Sequence, residues 1–424
     1  MSHFALKYGR QTCSAEIPGA RALQVKIPRV TRDSHDLVRQ SLAAPIGSLQ
    51  LQQIVRPGEQ VVIVTSDITR YTGSEIFLPI LVELLNDCGI PDRDIRIVIG
   101  LGIHRAQTAE EHQKILGPLA GRIEVCDHDC DNSEQLVDLG ATTSGLPVEI
   151  NRTVVEAERV IVTGTAGLHY FAGFGGGRKG LVPGVASRKT CMATHFAIFN
   201  PPQTGGKHPQ AVPGRLDGNP VHQAILEAAL KVKPDFLLNT VLAPDKSLLK
   251  VYCGDLDLAH RAACELAGGL YQLPLAEPAD LAVVSCGGAP KDINFIQAHK
   301  ALDYGVRALR PGGTVILLAE CPDGFGNATF FDWFRYLDLA EFETALRNNY
   351  EINGQTAHST LSKARQFRVI LISSFSREQT KRMGMEKAAN LDAALQMAYE
   401  KLPDKPRTVV IPDGGTVLPV IQGS

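Results

Sequence analysis

Long apolar segments are missing from this sequence of 424 residues. No run reaches the roughly 18 apolar residues of a membrane-spanning helix, and the first residues, MSHFALKYGR, lack the apolar core of a signal peptide. The sequence also has no excess of basic residues, since it contains 43 Lys and Arg and 45 Asp and Glu. The sequence therefore predicts neither a membrane nor a nucleic-acid partner, and it favours a cytoplasmic protein.

The nine cysteines lack the spacing of a disulfide framework, and their number is odd. Cys126, His128 and Cys130 place soft metal ligands at alternate positions, which would put them on one face of a strand. Structural zinc sites normally have a second ligand pair elsewhere in the sequence, and we find none. A polar loop at a strand end is therefore the favoured interpretation of this cluster.

Two common phosphate-binding fingerprints are also missing. The sequence after the first strand of the C-terminal part is CGGAPKDIN (286–294), which is not the GxGxxG of a dinucleotide-binding fold. In GFGGGRKG (173–180), Lys179 stands between Arg178 and Gly180, whereas a Walker A loop needs Gly-Lys-Ser/Thr. These departures argue against an ordinary nucleotide-binding enzyme.

The chain is too long for one ordinary hydrophobic core, so two or three domains are expected. Apolar strands alternate with amphipathic helices nearly throughout, which predicts an α/β fold. We divide the chain into a larger N-terminal α/β domain, 1–270, and a smaller Rossmann-like α/β domain, 271–424. We expect the functional site in the cleft between these two lobes.

Strand ends supply the first candidate site residues. The segments 61–67 and 94–102 are predicted strands, so Asp67 and His104 lie at or just beyond carboxyl ends of strands, where open α/β sheets bind ligands. The other predicted elements are helices at 74–89, 108–116, 293–310 and 389–402, and strands at 122–126, 159–165, 276–285, 311–320, 367–374 and 407–414.

The segment 166–220 differs from the rest, since it is rich in Gly, Pro and His and has no sustained period. Four glycines between residues 173 and 177 free the backbone to approach an anion, and Arg178 and Lys179 add positive charge, which suggests a phosphate cradle. The alternative is a flexible surface turn. Aromatic neighbours and the nearby His169 favour a functional loop.

Histidines stand near these candidate elements at 104, 169, 195 and 299. A single histidine is more often a satisfied polar residue than a catalyst. Two imidazoles in one pocket can take and give a proton near neutral pH, and a racemase needs such a pair because a proton must move on both faces of its substrate.

Two further segments carry polar groups. In SDITRY (66–71), Arg70 offers a planar fork that matches a carboxylate, although a surface ion pair would have the same pattern. In PKDINFIQAHK (290–300), Gln297 and Lys300 stand three residues apart on a predicted helix and so share one face.

Taken together, these segments resemble the nickel-dependent lactate racemase family over nearly the whole chain. Each motif is weak alone, but all of them occur in the family's order and at similar intervals. The matching residues are Asp67-Ile68-Thr69-Arg70, Gly102-Ile103-His104, His169 to Lys179 across Gly175, Gly176 and Gly177, His195, and Pro290 to Asn294 with Gln297 and Lys300.

The resemblance implies a racemase or epimerase that inverts C2 of a 2-hydroxy acid with a nickel pincer nucleotide. Lys179 would carry the covalent link to this cofactor and His195 would bind nickel. His104 and His169 would be the acid/base pair, one taking the hydroxyl proton while the C2 hydrogen leaves as hydride to the cofactor's pyridinium ring. Cofactor-synthesis enzymes would load the protein.

The remaining roles follow from the same resemblance. Residues implied to bind the cofactor and its phosphate are Asp67, Ile68, Thr69, Arg70, Gly175, Gly176, Gly177 and Arg178, and those implied to hold the substrate carboxylate and hydroxyl are Arg70, Gln297 and Lys300.

The sequence departs from lactate racemases near the substrate. Ile296 stands where they tend to have Tyr, and the residues from Gln355 to Ser359 are small or polar where they carry Trp. The single tryptophan is Trp333, and we do not assign it to that position. A larger 2-hydroxy acid, such as a sugar acid, is therefore an expected substrate beside lactate.

Two other functions remain open from the sequence. A phosphate-binding transferase would use the glycine-rich loop, and a non-enzymatic ligand-binding protein would suit two α/β lobes. A non-enzymatic ligand-binding protein would not need His104 and His169 as a pair.

Overall fold

The computed structural model describes residues 3–26 and 32–422. The strands are β1 (His3–Tyr8), β2 (Gln11–Glu16), β3 (Arg21–Ala22), β4 (Val61–Ser66), β5 (Ile95–Gly100), β6 (Glu124–Asp127), β7 (Leu136–Ala141), β8 (Pro147–Asn151), β9 (Arg159–Thr165), β10 (Leu168–His169), β11 (Gly173–Phe174), β12 (Phe236–Leu242), β13 (Leu248–Gly254), β14 (Gln272–Leu275), β15 (Ala279–Ser285), β16 (Leu309–Leu318), β17 (Arg368–Ile372), β18 (Glu386–Lys387), β19 (Thr408–Ile411) and β20 (Leu418–Ile421).

The helices are α1 (Ser34–Ala43), α2 (Leu51–Ile54), α3 (Ser74–Asp87), α4 (Ala109–Leu116), α5 (Arg152–Glu156), α6 (Arg188–Phe196), α7 (Pro220–Leu230), α8 (Leu258–Tyr271), α9 (Phe295–Gly305), α10 (Leu339–Asn348), α11 (Gly354–Gln366), α12 (Arg377–Arg382) and α13 (Leu391–Tyr399). Within the described ranges, none of these helices has both the length and the apolar composition required to cross a bilayer.

The chain packs as two compact units. The larger unit contains residues 32–198 and 208–268, and the smaller unit contains residues 3–26, 199–207 and 269–422. Each unit has its own six-stranded sheet, and the α/β fold class predicted from the sequence is confirmed.

The sheet of the larger unit has the order β13-β12-β9-β4-β5-β6. Its strands pair in parallel, except that β13 runs antiparallel to β12. Strand β4 is buried at every position but its last, because both faces of a parallel sheet are covered. Since β9, β4 and β5 are neighbours and parallel, their carboxyl ends lie at one edge of the sheet, and Asp67 and His104 follow two of these ends.

The sheet of the smaller unit has the order β18-β17-β16-β15-β19-β3, and all its strands are parallel. Here the structure differs from the predicted domains, which placed residues 1–270 together. Leu6, Ala15 and Ile17 belong to the core that covers this sheet, and β3 pairs with β19. Residues 3–26 therefore complete the C-terminal domain. The predicted domain boundary at residue 270 lies next to Gly269, where the last segment of the smaller unit begins.

The predicted elements around the site are close to the observed ones. Strand β4 and strand β5 lie within the predicted segments 61–67 and 94–102. Helix α9 is shorter than the predicted 293–310, because a 3₁₀ turn follows it and β16 begins at Leu309. The segment 166–220, for which no periodicity was found, contains the nine-residue helix α6, which Ser187 caps.

Candidate active site

A carboxylate and an imidazole form a short ion pair beyond β4 and β5. Asp67 Oδ2 lies 2.6 Å from His104 Nδ1. The Asp67 side chain is 2% exposed, whereas that of His104 is 42% exposed. The buried carboxylate thus fixes the inner nitrogen of the ring, and the outer nitrogen, Nε2, is on the more accessible side.

Asp67 is itself held by the loop that follows it. Its Oδ1 accepts hydrogen bonds from the Thr69 backbone N–H at 2.7 Å and from the Thr69 hydroxyl at 2.5 Å. Burial would raise the pKa of Asp67, but the hydrogen bonds from His104 and Thr69 outweigh it and hold the pKa below its ordinary value. Asp67 is therefore ionised at neutral pH. Its carboxylate accepts the hydrogen bond from His104 Nδ1 and thereby orients the ring.

His169 and Lys179 meet across the glycine-rich loop. Lys179 Nζ lies 3.3 Å from His169 Nε2, and His169 Nδ1 accepts a hydrogen bond from the Ala172 backbone N–H at 3.2 Å. The Ala172 N–H therefore holds the His169 ring through Nδ1, and Nε2 faces the Lys179 ammonium group, which can only donate.

The ring of Phe171 contacts three of the predicted site residues. His169 packs against it edge-on at 4.6 Å between ring centroids, and His195 does so at 5.6 Å. Lys179 Nζ lies 5.6 Å from the centroid of the same ring. Lys179 and His195, which are 16 residues apart in the chain, thus lie against the same ring. Phe171 was not predicted as a site residue, since an aromatic side chain in a loop usually belongs to the core.

His195 is held as a neutral imidazole. On α6, its Nδ1 donates a hydrogen bond to the Cys191 carbonyl at 2.7 Å, so Nε2 keeps its lone pair. Burial lowers the pKa of His195 to about 4. The Cys191 hydrogen bond opposes this shift, and the charges of Lys179 and Arg70 add to it. The charge of Arg70 therefore acts on the same region, although its own side chain is exposed.

In this structure the glycine-rich loop, predicted as a phosphate cradle, has two of its amides engaged within the protein. The amides of Gly175 and Gly177 donate to the Gly167 carbonyl at 2.7 Å and to Asn239 Oδ1 at 3.1 Å. At Gly176, which has a φ of +71°, a Cβ atom would lie 2.4 Å from Asn239 Oδ1. Gly176 and Gly177 are needed because the loop packs tightly on its own unit: at Gly177 a Cβ atom would lie 2.6 Å from the His260 ring.

Arg178, predicted to contact the cofactor's phosphate, is engaged within the protein in this structure. Its side chain is fully buried, donates to the Ala172 carbonyl at 2.9 Å and lies 2.8 Å from His260 Nε2. Burial lowers the pKa of Arg178 to about 10, which still leaves it charged at neutral pH. Arg178 therefore holds the loop on which Lys179 stands, and His260 and Asn239 are supports that the sequence did not reveal.

In the smaller unit, Gln297 and Lys300 lie together as predicted. Lys300 Nζ donates to Gln297 Oε1 at 3.0 Å near the start of α9. The neighbouring Lys291 and Asp292 are used differently: Lys291 pairs with Asp413 at 2.8 Å, and Asp292 is buried and accepts from the Gly9 backbone N–H at 2.7 Å. Those two residues stabilise the loop before α9.

The cluster around His128 is structural. His128 is 2% exposed, its Nε2 contacts the Ala186 carbonyl at 2.9 Å, and its Nδ1 contacts Asn151 Nδ2 at 3.2 Å. Both nitrogens are therefore occupied within the protein. Asp129, Cys130 and Asp131 have ligand atoms within 4.8 Å of one another, but Asp131 is paired with Arg188. The interpretation as a polar loop agrees with these contacts.

Comparisons with known proteins cover both units. The family described as the lactate racemase N-terminal domain matches residues 8–206, and the family described as the lactate racemase C-terminal domain matches residues 275–419. A protein from Thermotoga maritima, of known crystal structure, has a TM-score of 0.67 and 21% identity over 92% of this chain and 98% of that one, which supports the fold alone.

Named relatives agree with both matches. The lactate racemase of Thermoanaerobacterium thermosaccharolyticum is 31% identical over 99% of each chain, and that of Lactiplantibacillus plantarum is 32% identical over 96% of this chain and 97% of its own. The structure of the T. thermosaccharolyticum apoprotein covers 99% of this chain and all of its own, with a TM-score of 0.89 and 30% identity. This chain belongs to the lactate racemase family.

Proposed function

We propose that this protein is an isomerase that inverts C2 of a 2-hydroxy acid, either lactate or a larger acid such as a sugar acid. The observation that carries the proposal is the fixed orientation of two imidazoles. Asp67 holds His104 through Nδ1, so that Nε2 is an acceptor, and Ala172 holds His169 through Nδ1, so that Nε2 faces Lys179, the proposed point of cofactor attachment. Two such imidazoles can act as base and acid when one takes a proton from the substrate and the other, protonated beforehand, returns one.

The donor set fits a nickel pincer nucleotide. His195 Nε2 is a neutral imidazole ligand with its ring fixed by the Cys191 carbonyl, and imidazole suits nickel. Lys179, the proposed point of covalent attachment, contacts the same Phe171 ring as His195. Asp67, Ile68, Thr69 and Arg70 form the loop that we propose to hold the cofactor. When bound, the cofactor supplies a reversible acceptor for hydride.

The chain's own residues then move the proton and hold the substrate. In one direction His104 Nε2 would take the hydroxyl proton as the C2–H bond breaks, which gives a planar 2-keto acid. When the C2–H bond forms again on the opposite face, a protonated His169 would return a proton to the oxygen, and proton exchange with solvent would restore both imidazoles. Arg70, Gln297 and Lys300 are proposed to bind the carboxylate and hydroxyl, since a guanidinium and an ammonium are suited to such oxygens.

Two cellular expectations belong to the same proposal. We propose that cofactor-synthesis enzymes load the protein and that it works in the cytoplasm. The nine cysteines are all unpaired thiols in the structure, which suits a reducing compartment.

The test is to produce the protein together with cofactor-synthesis enzymes, measure nickel content and the mass of the peptide with Lys179, and assay single enantiomers of a series of 2-hydroxy acids. We expect an adduct on Lys179 and loss of optical purity for at least one acid. A loaded protein that inverts none of them would refute the proposal. A protein without adduct or nickel would favour a simple ligand-binding function.

Asp67→Asn is expected to lower the inversion rate by at least about 10²-fold at neutral pH. Thr69 donates two hydrogen bonds to Oδ1, so the amide nitrogen of Asn would face His104. His104 Nδ1 would then have to accept, and its proton would move to Nε2, which removes the base. The measurement is the inversion rate of the loaded variant.

Asp245→Asn is a matched control, because Asp245 Oδ1 likewise accepts from the backbone N–H and hydroxyl of the residue two positions on, Ser247, but faces no imidazole. The control is expected to keep the parental rate. An unchanged rate in Asp67→Asn would contradict the assigned tautomer.

A further inference from the structure

We propose that Lys207, Asp303, Arg307 and Lys363, here called the cation cluster, bind a second anionic group of the substrate, so that the preferred substrate is a 2-hydroxy acid with a distal carboxylate. This inference rests on the proposed function, because it concerns the substrate of the same reaction. All four residues belong to the smaller unit. They come from three separate parts of the chain: the segment 199–207, α9 with the turn after it, and α11.

The cluster has more positive than negative charge. Asp303 is 1% exposed, and its Oδ1 lies 2.7 Å from Lys363 Nζ, while Arg307 Nε lies 4.0 Å from Oδ2. Burial would raise the pKa of Asp303, but the charges of Lys363, Lys207 and Arg307 outweigh it and keep the pKa low. Three cations therefore face one carboxylate, in a region where unbalanced charge is costly.

Lys207 is the cation without a direct counter-ion. Among the described residues, no carboxylate lies within 4.0 Å of its ammonium group, in contrast to Lys363 and Arg307. Burial lowers the pKa of Lys207 to about 8. Asp303 opposes this shift, and Lys363 and Arg307 add to it. An incoming carboxylate would supply the missing negative charge.

The backbone next to Lys207 is fixed in place. Gly206 N–H donates to Glu343 Oε2 at 2.6 Å and Asn200 N–H donates to the Gly206 carbonyl at 2.9 Å. Arg347 in turn donates to the Asn200 carbonyl at 2.6 Å and is paired with Glu343. The ends of the segment also pair with each other, at Phe199 and Lys207. Such anchoring is unnecessary for a solvated surface lysine, but it is what a preorganised binding group requires.

The cation cluster adjoins the residues proposed to hold the substrate. Ile296, Lys300 and Asp303 follow one another at intervals of four and three residues along α9, so they lie on one face of the helix. The rise from Lys300 to Asp303 is about 4.5 Å, the length of a few carbon–carbon bonds. A substrate whose first carboxylate is near Lys300 could therefore place a second one near the cation cluster.

The neighbouring imidazoles do not add charge. His299 is 1% exposed, and burial together with the nearby Lys363 lowers its pKa to about 3. Burial also lowers the pKa of His358. The positive charge thus comes from the lysines and the arginine, and it persists at neutral pH.

The experiment compares 2-hydroxysuccinate with 2-hydroxybutyrate, which has the same number of carbons but a methyl group in place of the distal carboxylate. In the loaded parent protein we expect kcat/KM for 2-hydroxysuccinate to be higher. Lys207→Met is expected to lower the ratio of the two kcat/KM values by about 10- to 100-fold. Lys405→Met, at an exposed lysine of the same unit, should leave the ratio unchanged.

Lys207→Gln and urea unfolding of each variant serve as checks on folding. Equal or better inversion of 2-hydroxybutyrate by the parent, or an unchanged ratio in a folded Lys207→Met, overturns the inference but leaves the proposed function in place.

Binding of succinate and butyrate to the cofactor-free protein, measured by calorimetry, separates the two failures. If no acid is inverted, yet succinate binds the parent about tenfold more tightly than Lys207→Met, the anion site is supported and the proposed function fails. If succinate binds both proteins equally or neither of them, the cation cluster is an internal ion network, and the inference is overturned.

Discussion

Replacement of His104 or His169 by alanine is expected to reduce inversion by about 10³-fold or more, because each removes one of two complementary proton-transfer groups. The third imidazole of this region is not placed to replace them. His195 is committed to the Cys191 carbonyl through Nδ1, and burial keeps its pKa at about 4. The loss should be in kcat for both enantiomers, since each residue acts in both directions of the reaction.

The measurement is chiral chromatography of the product after loading has been verified by nickel content. Each variant should retain the adduct, because neither histidine carries the covalent link. The matched control is His35→Ala, which removes another imidazole near a carboxylate, 3.3 Å from Asp33, at a site where His35 is 56% exposed. Parental activity in a loaded His104→Ala or His169→Ala would show that the acid and base are other residues.

Lys179→Ala should abolish both cofactor attachment and inversion. In the structure, Lys179 Nζ is 3.3 Å from His169 Nε2 and 5.6 Å from the centroid of Phe171, whose ring also contacts His195. One molecule attached at Lys179 can therefore approach the imidazole that is proposed to bind its metal. Loss of this single amine removes the attachment, whereas the histidines and their hydrogen bonds to Asp67 and Cys191 stay in place.

Intact mass, nickel content and the visible spectrum are the readouts, and they do not depend on any substrate. Lys179→Arg keeps a positive charge and should behave as Lys179→Ala does, which separates charge from covalent chemistry. Lys189→Ala is the control, since Lys189 lies nearby in the chain and is paired with Glu149 at 2.8 Å. A retained adduct in Lys179→Ala would place the covalent link elsewhere.

The strand ends could be predicted from the sequence because parallel strands of a covered sheet are nearly continuous apolar runs. Val61 to Val64 are all buried, so the position of Asp67 at the sheet edge followed from a local pattern. The Gln297–Lys300 contact also followed from a local rule, since residues three apart on a helix are neighbours.

The glycine-rich loop shows why the rest could not be predicted. Glycine permits a close approach of backbone, but the sequence does not tell whether the approaching atom belongs to a ligand or to the protein itself. At Gly176 it is Asn239, from a strand far along the chain. In the same way, nothing local distinguishes a buried Arg178 from an exposed one. Helix α6 was missed because only three of its nine residues are fully buried, which leaves little periodicity.

The position of residues 3–26 has a consequence for how the polypeptide is made. Strand β3 pairs with β19 at Val409 and Val410. The early segment can therefore form this pairing only after almost the whole chain has been synthesised. At the usual pace of translation, roughly 5 to 20 residues per second, that delay is roughly 20 to 80 s, during which Leu6 and Ile17 have no core to enter. A gene fragment that encodes only the C-terminal half would therefore lack the strand and the core residues that this early peptide contributes.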